Sequence, residues 1–92
     1  MRAFDRQIDL RVDYEPLPEK EEEYGNLILG AIEEYGEIEH VESVDTETEF
    51  TLWIKGEDVK KLVASVKVLC AEAGDDEAEV KVTRNVHALV NS

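Results

Sequence analysis

The chain has 92 residues, 42% of them hydrophobic, and a formal net charge of −13 at pH 7. That length encloses one core, and the modest Pro and Gly content excludes a disordered or fibrous chain. The charge disfavours nucleic-acid phosphates and anionic membranes, which both recruit Lys and Arg, and favours a basic protein surface.

The elements follow in order. Gln7–Tyr14 alternates, with Ile8, Leu10, Val12 and Tyr14 on one side and Gln7, Asp9, Arg11 and Asp13 on the other, which predicts a half-buried strand. Glu15-Pro16-Leu17-Pro18 ends it. From about Pro18 to Tyr35 the period becomes helical, and Tyr24, Leu27, Ile28, Ala31, Ile32 and Tyr35 form the expected buried stripe. Glu21, Glu22 and Glu23 suit the positive end of the helix dipole. Gly25 and Gly30 weaken this helix, which suggests close approach to a sheet, and Gly36 is expected to cap it.

Ile38–Thr48 reads as a second strand anchored by Ile38, Val41 and Val44, whose spacing of three predicts a bulge or a twist. Its turn is expected at Asp45-Thr46-Glu47-Thr48. Phe50–Lys55 is the third strand, with Phe50, Leu52 and Ile54 toward the core and Thr51, Trp53 and Lys55 away. Gly56 opens a second helix with the stripe Val59, Leu62, Val63, Val66, Leu69, Cys70 and Ala73, closed by Gly74. After the loop Asp75-Asp76-Glu77, the alternation of Ala78, Val80 and Val82 with Glu79, Lys81 and Thr83 predicts a fourth strand. The apolar tail Val86–Val90 either extends that strand or packs on a neighbour.

The order β-α-β-β-α-β contains two β-α-β units joined by a hairpin. Right-handed crossovers then give an α+β, ferredoxin-like fold. A four-stranded antiparallel sheet carries both helices on one face, with the first and third strands central. Residues 1–92 are read as a single domain with a core over about 7–84 and a tail at 85–92.

Such a fold hosts many functions, so each was sought through its residues. Cys70 is the sole cysteine and lies on an apolar helical stripe. It is expected to be a packed core residue, with no internal disulfide and a reducing compartment. The first β-α loop, Glu15-Pro16-Leu17-Pro18-Glu19, is acidic and poor in donors, against phosphate binding. His40 and His87 are far apart and suggest surface or edge positions. No calcium-loop spacing or Ser-His-Asp arrangement is seen, so neither catalysis, a metal site nor a cofactor is expected. Met1–Asp5 has no apolar leader core and no stretch approaches a bilayer span, which places the chain in the cytoplasm.

Two features go beyond what a core requires. Between Asp13 and Glu49 stand fourteen acids and one base, Lys20, while the remaining nine acids are balanced by nine bases. Within this stretch Glu33, Glu34, Glu37, Glu39, Glu42, Glu47 and Glu49 form a candidate partner-binding belt; the bland account is a solvated face that guards a sheet edge. The second feature is Trp53 on the open sheet face, with Arg11 and Lys81 as expected neighbours.

The leading expectation is a non-catalytic acidic module that inhibits a nucleic-acid-binding effector, nuclease or toxin by mimicking nucleic acid, in the manner of counter-defence or immunity proteins. The partner would be a basic protein surface, without direct nucleic-acid or membrane contact. The alternative is a regulatory or structural subunit that oligomerises, for instance as a homodimer, through the sheet around Trp53. Glu34-Tyr35-Gly36 ahead of a strand, together with Phe50–Ile54, loosely resembles a small-subunit ribosomal protein family of the same element order. That resemblance implies RNA binding, against which the charge stands.

Overall fold

The computed structural model describes residues 4–87, with side chains described as far as Thr83. Strand β1 spans Arg6–Asp13, helix α1 Glu21–Tyr35, β2 Gly36–Val44, β3 Glu47–Ile54, α2 Val59–Glu72 and β4 Glu79–His87. Short 3-10 turns, Pro18–Lys20 and Gly56–Asp58, lead into the two helices. The fold is α+β, with two helices and an open antiparallel sheet ordered β2-β3-β1-β4. β1 and β3 are therefore interior.

The period-two residues Ile8, Leu10, Val12, Phe50, Leu52 and Ile54 are buried against Ile28 and Ile32 of α1 and Leu62, Val66 and Cys70 of α2. Both helices thus cover one sheet face. Val80 of β4 closes the cluster on the far side of β1. The sheet is irregular at both edges. The β2–β3 register shifts between Ile38 and His40, the bulge expected from the spacing. The β1–β4 register shifts between Asp9 and Leu10, where Thr83 turns its hydroxyl onto the Asp9 carbonyl at 3.3 Å.

Several local expectations are corrected. Tyr14 lies beyond β1, and its amide donates to the Thr46 carbonyl at 3.2 Å. The hairpin turn is only Asp45-Thr46, with Asp45 at φ 56 and Glu47 and Thr48 already in β3. Val41 and Val44 are exposed rather than anchors: Val41 lines a groove that α1 leaves open, and Val44, opposite Glu47, lies on the sheet face away from the helices. Leu27 is exposed too, and the buried part of the α1 stripe narrows to Ile28 and Ile32.

The glycines separate by role. Gly25 and Gly30 face open space, so neither serves close packing. Gly36 is no left-handed cap: it passes in extended conformation straight from α1 into β2. A Cβ there would strike the Trp53 carbonyl and the Leu52 and Ile54 side chains. Gly74 does cap α2, at φ +112, beneath the Leu17 side chain.

Carboxylates tie the loops down. Asp75 Oδ2 accepts the Glu15 amide at 2.7 Å and Oδ1 accepts the Glu77 amide at 3.0 Å. The Leu17 amide donates to Ala73 O at 2.9 Å, and Lys20 Nζ to Glu72 O at 3.0 Å. These bonds join the β1–α1 loop to the end of α2. At the opposite end Asp5 Oδ1 accepts the Gly56 amide at 2.8 Å. β4 extends to His87; the rest of the apolar tail, residues 88–90, lies outside the described residues.

Candidate functional site

Residues opposite one another in an antiparallel pair share a face, so the register fixes what the open side of the sheet presents. Gln7, Asp9, Arg11 and Asp13 of β1 lie beside Trp53, Thr51, Glu49 and Glu47 of β3. β2 adds Glu37, His40 and Glu42, and β4 adds Lys81 and Glu79. Among the described side chains, the bases on this face are Arg11 and Lys81. The acids outnumber them and come from every strand: Asp9 and Asp13, Glu37 and Glu42, Glu47 and Glu49, and Glu79.

The bulge in β2 brings one more carboxylate onto this surface. Glu39 Oε2 accepts the Trp53 indole N–H at 2.6 Å, while Oε1 accepts Gln7 Nε2 at 2.7 Å. The two features singled out in the sequence are therefore joined, since a member of the acidic belt holds the tryptophan. Nearby, Thr51 Oγ1 donates to Asp9 Oδ1 at 2.9 Å, and His40 Nε2 lies 3.8 Å from Glu42.

The belt itself is divided. Glu37, Glu39, Glu42, Glu47 and Glu49 share the open face, whereas Glu33 and Glu34 stand exposed on α1, in the helix layer behind it. The grouping of Trp53 with Arg11 and Lys81 is corrected as well. Arg11 pairs with Glu49, four residues along β3 from Trp53, or about 13 Å at ordinary strand rise. Its guanidinium lies 3.6 Å from both Glu47 and Glu49, and Lys81 lies 3.7 Å from Glu79. Both bases are thus spent within the acidic field.

On the helix side, α1 and the β2–β3 hairpin leave a groove of about 250 Å³ lined by Val12, Tyr14, Gly25, Ile28, Leu29, Val41, Thr48 and Phe50. It runs into a cleft of about 540 Å³ whose wall includes Glu15, Glu21 and Asp45. Burial raises the Tyr14 hydroxyl pKa, with smaller contributions from Cys70 and Glu21. Cys70 is enclosed, and its thiol is pushed up to about 11 by burial, then by Asp75. It is a packed, protonated group, as its place on the stripe implied. His87 has no described side chain.

Among the described residues no three His, Cys, Asp or Glu are placed to hold a metal ion. No described helix is long and apolar enough to cross a membrane. Comparison with protein-family models and with curated proteins finds no match. Sequence reasoning missed the Glu39–Trp53 bond, the groove and the Asp75 clasp, all of which depend on long-range register.

Proposed function

We propose that this chain is a non-catalytic acidic module that docks on the basic surface of another protein through its open sheet face. The nucleic-acid site of an effector, nuclease or toxin is the kind of surface it would block. The observation that carries this reading is the convergence of carboxylates from all four strands on one face, with Arg11 and Lys81 already flanked by glutamates. A charged, flat patch of this kind accelerates encounter with an oppositely charged site and makes affinity strongly salt-dependent. Catalysis has little support: the one thiol is enclosed and protonated, and His40 is exposed beside Glu42. We read the architecture as ferredoxin-like, on the strand order β4-β1-β3-β2 seen from the opposite edge. The same acid excess counts against a homodimer through this face, because two copies would oppose like charges. A cytoplasmic location, where nucleic-acid-binding partners are met, fits this reading.

The test uses two variants with the same change in net charge. Glu37→Lys/Glu42→Lys alters the open face; Glu33→Lys/Glu34→Lys alters the helix layer. A partner retained from lysate at low salt should be lost with the first variant, kept with the second, and displaced by added duplex DNA. Equal losses from both variants would mean that net charge alone is responsible.

A further inference from the structure

Strand β2 borders the sheet, and among the described residues nothing pairs with its outer side. Edges of this kind are usually shortened, covered or charged. Here the two sides of the strand differ. Glu37 and Glu42 stand on the open face, while Ile38 and Val41 point to the helix side, opposite Leu52 and Phe50. Val41 is 46% exposed, and Leu29 of α1, on the same groove, is 37% exposed. Beyond the bulge β2 therefore presents Val41 and Ser43 beneath and His40, Glu42 and Val44 above, with free main-chain groups along its outer side.

We infer that the β2 edge accepts an extended segment of a partner protein as a fifth strand. That segment alternates apolar and basic residues. Its apolar side chains would enter the groove beside Val41 and Leu29, and its Lys or Arg side chains would lie against Glu42. Main-chain hydrogen bonds supply affinity in strand addition, and alternate side chains supply specificity. Charge settles the occupant. A second copy paired about Glu42 would set glutamate against glutamate, which is destabilising across a strand pair, whereas a basic strand is complementary. The bulge at Ile38/His40 interrupts the edge, so the addition centres on His40–Val44. This inference rests on the reading of the chain as a module for basic partners, and gives that partner a second mode of contact.

The probe is a synthetic peptide, Lys-Val-Lys-Ile-Lys-Val-Lys, compared with a block isomer carrying all four lysines first. The alternating peptide should bind more tightly and slow amide exchange along β2. Val41→Asp should weaken binding about ten-fold, from the loss of one buried apolar side chain. Val68→Asp, at a position 56% exposed on α2, should leave it unchanged. Equal binding of the two isomers would overturn strand addition. So would indifference to Val41→Asp, or β2 protection arising from self-association without peptide. Val41→Asp leaves the open-face carboxylates in place, so failure here leaves capture through that face to be judged by its own charge-reversal pair.

Discussion

Replacing Gly36 by Ala tests how α1 joins the sheet. Were Gly36 only a helix end in extended conformation, Ala would be tolerated, and the lower backbone entropy of the unfolded chain would favour it by about 0.4–1 kcal/mol. Instead the added Cβ meets the Trp53 carbonyl, Leu52 Cδ1 at 2.8 Å and Ile54 Cβ at 3.4 Å. The carbonyl belongs to an interior strand and cannot rotate away, so β2 must lift from β3. Overpacking of this kind costs about 1–3 kcal/mol. Gly30→Ala is the control. It adds a methyl to open space within α1 and should stabilise by about 1 kcal/mol. Urea unfolding followed by the emission of the single tryptophan, Trp53, reads both. At an m-value of about 1 kcal/mol/M, the Gly36→Ala midpoint should fall by about 1–3 M and that of Gly30→Ala should rise by about 1 M. A Gly36→Ala protein at least as stable as the parent would refute the close approach.

Other outcomes follow from the same contacts. Cys70 holds its thiol at about 11 against an ordinary 9.0, so the folded state keeps a proton that the unfolded chain releases. Its contribution is complete below pH 9 and falls by about 3 kcal/mol as pH rises to about 11, so Cys70→Ala should flatten the alkaline limb of a stability–pH curve. Tyr14 has the same sign and keeps part of that slope. Asp75→Ala removes acceptors for Glu15 and Glu77 and should cost about 1–2 kcal/mol by thermal unfolding, with Asp75→Asn between it and the parent. Glu39→Ala removes the carboxylate that accepts the Trp53 indole N–H, and the emission maximum should move measurably while far-UV circular dichroism stays unchanged. Because the chain carries −13, added sodium chloride should raise the melting temperature through screening; a flat response between about 0.05 and 0.5 M would show that repulsion is unimportant.

The interior strands were legible because Ile8, Leu10 and Val12, like Phe50, Leu52 and Ile54, alternate without interruption, and a one-residue slip would expose them all. Cys70 was equally legible from its helical spacing. Gly36 was not. Glycine after a helix usually signals a left-handed cap, and only the neighbouring strand shows that it is there for want of a Cβ. Val41 and Val44 looked like anchors because apolarity in a strand normally means cover, and cover is supplied from elsewhere in the chain. The acidic composition of the site was plain, but its division between the two faces was not. The β2 bulge adds one residue, sets Glu39 and His40 on the same face and returns Val41 to the helix side. Spacing hinted at that bulge without fixing which side chains it would redirect.

The sheet order also has a consequence for how the chain is made. Of the described strands β1 is synthesised before the others, and it lies between β3 and β4. Until residues through Val82 have left the ribosome, one flank of β1 has no neighbour, and the core lacks Val80. The nascent chain therefore waits with a hydrophobic strand half-paired, and the step that completes it joins segments nearly the whole chain apart. Closure over such a separation is slow compared with helix formation. Like charge on neighbouring copies, −13 on each, opposes association of such unfinished strands.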